Sequence, residues 1–154
     1  MKTRFRFGAA IFFALAASLP LAAQQDRGYW NAASTNAAAV TGDIRIAAAR
    51  LTINFAPFPL AQIRTLTPAE VSAVFDADSN AAISGNLYRL DVPAGQRFLH
   101  HNTLCGTDDT QWMVTYASGR TLQVAFFSGS EMPVLTVDAL AHTSDLCGTF
   151  TYAR

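Results

Sequence analysis

The stretch Gly42-Asp43-Ile44-Arg45-Ile46-Ala47-Ala48-Ala49-Arg50-Leu51-Thr52-Ile53-Asn54-Phe55 decides the fold class. Ile44 and Ile46 alternate with Asp43 and Arg45, and Leu51, Ile53 and Phe55 alternate with Thr52 and Asn54. A period of two gives each segment one apolar row, so two half-buried strands joined by a tight turn are expected. Pro57 and Pro59 are expected to end the second strand, because neither can donate to a ladder.

The same period returns downstream. Leu87 to Val92 reads as a strand that stops at Pro93-Ala94-Gly95. Trp112, Val114 and Tyr116 alternate with Met113 and Thr115, Ser118-Gly119 supplies a hairpin turn, and Leu122, Val124 and Phe126 alternate with Gln123 and Ala125. A last strand runs through Cys147, Thr149, Thr151 and Tyr152, with Gly148 as a bulge. Phe126 and Phe127 are adjacent, so they point to opposite sides of their strand, and both faces there are expected to be covered. Thr67-Pro68-Ala69-Glu70 has the form of a capping box with proline at the first helical position, which predicts a short helix to about Phe75. Val71, Ala73 and Phe75 also alternate, so a strand competes over 68–75. The alanine-rich run from Asn31 to Val40 fits neither pattern. The expected fold is all-β: a single antiparallel sandwich or small β-barrel with at most one short helix near 68–75.

Ahead of this domain stand a basic head (Lys2, Arg4, Arg6), an apolar run from Ala9 to Leu19 and the small-residue exit Pro20-Leu21-Ala22-Ala23. That layout predicts a cleavable signal peptide over 1–23 and one exported β-domain over 24–154, periplasmic or secreted. The apolar run is short for a permanent membrane span. Without Lys2, Arg4 and Arg6 the 11 basic residues fall to 8 against 11 acids, a formal charge of −3. A weakly acidic domain with dispersed arginines lacks the footprint of a nucleic-acid binder and the polybasic cluster that holds anionic lipid.

Cys105 and Cys147 are the only cysteines, and each sits in a Leu-Cys-Gly-Thr tetrapeptide. An exported chain with one cysteine pair is expected to close it as a disulfide. The bridge would confine a loop of about 43 residues and contribute roughly 4 kcal/mol.

Leu87-Tyr88-Arg89, Asn102-Thr103-Leu104-Cys105-Gly106, Ala125-Phe126-Phe127-Ser128-Gly129 and Leu146-Cys147-Gly148-Thr149-Phe150-Thr151-Tyr152, in that order, resemble the motifs of a group of small exported bacterial proteins. Val40-Thr41-Gly42-Asp43-Ile44 shares the likeness. The resemblance implies an exported β-domain with one disulfide and transfers no catalytic or binding residue. A looser likeness, of class only, links the chain to the small periplasmic β-barrel inhibitors of c-type lysozyme.

Candidate chemistry is sparse. Asp76-Ala77-Asp78-Ser79-Asn80-Ala81-Ala82-Ile83 resembles the start of an EF-hand loop, yet Ala81 stands where the turn glycine belongs and Leu87 where the bidentate acid belongs. A polar turn is the plainer expectation. His100, His101, His142, Asp108 and Asp109 are candidate metal ligands, but no zinc spacing matches, and in extended chain adjacent side chains point apart. No metal or other cofactor is expected. Ser84, Ser128 and Ser130 lie beside glycines without a nucleophile elbow. Glu70 and Glu131 are the only glutamates, too few for a readable glycosidase pair. The expected function is a non-enzymatic binding or inhibitor-like module of the cell envelope, its partner a protein or an envelope ligand. The alternatives are a small hydrolase with an unrecognised Ser/His/Asp site and a small outer-membrane barrel, whose strands would need about 9–11 residues.

Overall fold

The computed structural model describes residues 25–80, 83 and 85–154, so the expected signal peptide over 1–23 lies outside the described residues. Eight strands follow in chain order: β1 (Gly28–Ala32), β2 (Ile44–Ala47), β3 (Arg50–Ile53), β4 (Ala56–Leu66), β5 (Gly85–Val92), β6 (Thr110–Ser118), β7 (Thr121–Phe127) and β8 (Leu146–Ala153). Each pairs antiparallel with the next, and β8 returns to β1, so the sheet closes as an up-and-down barrel. Closure answers the choice between sandwich and barrel and leaves no free sheet edge.

Alternation on each strand separates two apolar layers. Trp30, Ile44, Ile46, Leu51, Ile53, Leu122, Val124 and Tyr152 fill the barrel interior. Around β5–β7 the outer face is apolar as well: Leu87, Val114, Ala125 and Phe127 pack with Leu66, Val71 and Leu135. Two short helices, α1 (Pro68–Phe75) and α2 (Val137–His142), flank this second layer through Val74, Phe75 and Leu140. Phe126 therefore lies in the barrel core and Phe127 in the outer layer, the double coverage expected for that pair. On β6 the apolar row Trp112–Val114 belongs to the outer layer and Met113 to the interior.

The helix wins over the strand at 68–75 because its cap is complete. Thr67 Oγ1 accepts from the Glu70 N–H at 3.3 Å, and the Glu70 carboxylate accepts from the Thr67 N–H at 2.9 Å. Arg64 then grips both Glu70 oxygens at 2.7 and 2.9 Å. Hydrogen bonding from Arg64, with the Thr67 N–H adding to it and desolvation opposing it, holds the Glu70 carboxyl down at about 2. A depressed carboxyl pKa stabilises the fold above the unfolded value near 4.5, and that contribution is lost as pH falls toward about 2. Glu70→Gln is thus expected to cost about 1–2 kcal/mol at neutral pH. In urea titrations the gap from the parent should close progressively below pH 4.5; a gap independent of pH would contradict the assignment.

Three expectations are corrected. Pro57 and Pro59 do not end a strand; they lie within β4, opposite Thr52 and Arg50. There β4 has only β3 beside it, since β5 joins from Leu60, and an imide nitrogen is tolerated where no second ladder needs it. Phe55 does not continue the apolar row of β3, which ends at Ile53; it occupies the turn before β4 and is 96% exposed. The third correction is the second short helix, α2, where at most one was expected; the run Asn31–Val40, which fitted neither pattern, divides between β1 and a π-helical turn at Ala37–Thr41. Near Gly148 the register slips between Phe126 and Phe127, the bulge the sequence suggests. The cysteines are joined as Cys105–Cys147, tying the 93–109 connection to the start of β8.

Candidate functional site

Where β1 begins, the barrel interior turns polar. Asp26, 1% exposed, enters between the strands just before β1. Its carboxylate accepts from Asn86 Nδ2 at 2.9 and 3.0 Å, from the Tyr88 hydroxyl at 3.0 Å and from the Thr115 hydroxyl. Gln62 Nε2 donates to Asn86 Oδ1 at 2.8 Å, and Trp30 Nε1 donates to the Asp26 carbonyl at 2.8 Å. Burial, then the charge of Asp26, pushes the Tyr88 phenol well above its ordinary value. Arg154 lies over Trp30 at 4.2 Å from the ring centre and donates to the carbonyls of Arg27 and Gln25. This cluster is a plug. Among the described residues no buried side-chain nitrogen or oxygen lacks a partner, and the interior beyond the plug is filled by side chains.

Of the residues singled out by sequence, Asp108, Asp109 and Ser128 come together in one cleft, and none of the three histidines joins them. His100 and His101 sit in a tight turn at Leu99–His101 with φ of 53° and 62°, both exposed, rather than in extended chain. His142 stays with its own helix: its Nδ1 lies 2.8 Å from the Asp138 carbonyl and 3.8 Å from the Asp138 carboxylate. Asp109 accepts from the Ala94 N–H at 2.8 Å. Asp108 and Asp109 share an open cleft of about 400 Å³ with Asp145, Ser128 and Gln111, and no histidine lines it. The Ser128 hydroxyl points to the Asp145 carbonyl at 3.5 Å. Among the described residues no three His, Cys, Asp or Glu side chains are placed to hold a metal ion. In the EF-hand-like segment Asp78 Oδ1 accepts from the Asn80 N–H at 2.9 Å, a polar turn; Ala81, Ala82 and Ser84 lie outside the described residues.

The remaining candidate is the β3–β4 hairpin. Ile53 pairs with Ala56, so Asn54 and Phe55 alone make the turn, with φ of 45° and 66°. Two left-handed residues are the signature of a type I′ turn, which asparagine followed by glycine satisfies at least cost. A phenylalanine in the second position is strained, and its ring is in water. Beside it opens a recess of about 430 Å³ lined by Tyr29, Asp43, Arg45, Thr52, Asn54 and Phe55. The Tyr29 hydroxyl donates to Asp43 Oδ2 at 2.6 Å, which raises the Tyr29 pKa and fixes its ring at the rim. The one sequence signal for this tip is the broken period: Ile53 and Phe55 alternate, but the next inward residues are Phe58 and Leu60.

Compared with known protein families, with curated proteins and with solved structures, the chain finds no match.

Proposed function

We propose that this chain is an exported, non-enzymatic binding module, inhibitor-like in its mode of action, that engages a protein of the cell envelope through the β3–β4 hairpin tip. The observation that carries the reading is Phe55: one residue bears both a left-handed backbone and a fully hydrated ring. The first costs of order 1–3 kcal/mol and the second forgoes about 1.5–3 kcal/mol of burial. A ring held out on a rigid two-residue turn is an anchor of the kind that fills a pocket in a partner. The disulfide is consistent with an oxidising compartment. The filled interior supports contact through the outer surface, and the outward Arg45, Arg50 and Thr52 are the reverse of the apolar band a lipid-facing barrel needs.

Two results test this. Phe55→Gly is expected to raise stability by about 1 kcal/mol by relieving the left-handed strain, while abolishing engagement. A benzophenone side chain at position 55 of the full chain, illuminated in the producing cells, is expected to give a discrete protein adduct. The same group at exposed Asp138 on α2 should give none. Equal labelling from the two positions, or none from position 55, would end the proposal.

A further inference from the structure

Five of the eight arginines in the described domain are engaged. Arg64 holds Glu70, Arg89 lies over Trp112 and donates to Gln111, Arg97 donates to the Ala94 carbonyl, and Arg120 and Arg154 bond each other's backbone or that of the first residues. Among the described residues the side chains of Arg45 and Arg50 make no hydrogen bond, ion pair or ring contact, and both are exposed on the β2–β3 hairpin. Arg45 stands across the sheet between Tyr29 and Thr52 and lines the recess beside Phe55. A second, shallower recess of about 370 Å³ joins Arg45 to Arg50. The one acid in the first recess, Asp43, already accepts from the Tyr29 hydroxyl and from the Ala32 N–H at 2.9 Å. The outer face of β2 and β3 therefore carries Arg45 beside the Tyr29 and Phe55 rings and Arg50 at the far end of β3, two guanidiniums against the single carboxylate of Asp43.

We infer that the partner seated on the hairpin tip is a protein whose surface is acidic around an apolar socket, with Phe55 filling the socket, Arg45 pairing with a carboxylate at its edge and Arg50 with one farther along the same face. The inference rests on the binding reading above and names the partner's chemistry. Guanidinium groups pair carboxylates through parallel N–H donors, and a desolvated rim strengthens such pairs. Long-range charge points the same way: the domain as a whole carries −3, so an acidic partner is repelled elsewhere and attracted at this face. Two arginines and one ring fall short of the cluster of four to eight cations that an anionic bilayer recognises. A second copy docked about a two-fold axis through the tip would bring each arginine toward its own symmetry mate, like charge against like.

The test uses the full chain with the benzophenone group at position 55. Arg45→Glu with Arg50→Glu is expected to lower adduct yield roughly tenfold. Arg120→Glu, a reversal at the β6–β7 turn on the opposite end of the barrel, should leave the yield unchanged. Poly-L-glutamate should compete for the adduct and poly-L-lysine should not. Thermal unfolding of each variant confirms that the barrel is intact, and Arg45→Gln with Arg50→Gln gives a milder pair should the reversal destabilise it. An adduct indifferent to both arginine pairs overturns this inference and leaves the binding reading standing. So does an adduct whose mass is that of a phospholipid or of a second copy of the chain. Loss of all adduct in the unaltered chain removes the binding reading itself, and this one with it.

Discussion

Asp26→Ala is expected to lower the unfolding free energy by about 3–5 kcal/mol, the largest effect of any single substitution in this barrel. The carboxylate is the common acceptor for Asn86, Tyr88 and Thr115, all inside the barrel wall. Removing it strands the Tyr88 and Thr115 hydroxyls where water has no ready access, and each loses a bond to a charged acceptor. Asn86 would keep its bond from Gln62, so the damage centres on the two hydroxyls. Asp26→Asn should cost less, about 2–3 kcal/mol, because the hydroxyls can still donate to the amide oxygen while the new amide nitrogen faces that of Asn86. Urea unfolding followed by tryptophan fluorescence measures both, since Trp30 is bonded to the Asp26 carbonyl. If Asp26→Ala moved the free energy by less than about 1 kcal/mol, the plug would be an ornament of the fold rather than one of its supports.

Reduction of Cys105–Cys147, or replacement of both cysteines by serine, is expected to cost about 4 kcal/mol. The bridge joins positions 42 residues apart, so the unfolded chain regains a large loop when it opens. It also holds a connection with little regular structure of its own. Between β5 and β6 the chain has only isolated turns, one of them at Leu99–His101, and Leu104 beside the bridge is packed into the barrel core. Denaturant titrations with and without reductant should show a lower midpoint for the reduced protein. Amide exchange should quicken most over 93–109. Coincident midpoints would mean that the core alone keeps this connection in place.

Most barrel strands were legible in the sequence. β2, β3, β6 and β7 were read from the alternation of their residues and β5 and β8 from strand-forming composition, and the Thr67–Glu70 box announced α1. Legibility failed where structure depends on a distant neighbour. The long strand β4 hides behind Pro57 and Pro59, whose tolerance depends on β5 joining only from Leu60, a fact of topology. α2 is a short helix of six residues whose Thr136 cap was not singled out. Nothing in the sequence singles out Asp26, because its partners Asn86, Tyr88 and Thr115 come together only when the barrel closes. Phe55 misled for the opposite reason: its place in the alternation was correct, but the chain had already turned at Asn54. Nothing in the spacing of His100, His101, Asp108 and Asp109 revealed the cleft that Asp108 and Asp109 share with Asp145.

The seam between β1 and β8 carries two ladder pairs, Asn31–Ala153 and Ala32–Tyr152, extended by the Ala33 and Ser34 N–H bonds to the Thr151 carbonyl and by Arg154 reaching back to the carbonyls of Arg27 and Gln25. The strands run antiparallel, so a pull on residues 25 and 154 loads that seam at one end and peels it open rung by rung. Sheared along its length, the same ladder would resist as a unit. The molecule is a hoop with its clasp at its weakest joint, and a tether attached through both ends would find that clasp first.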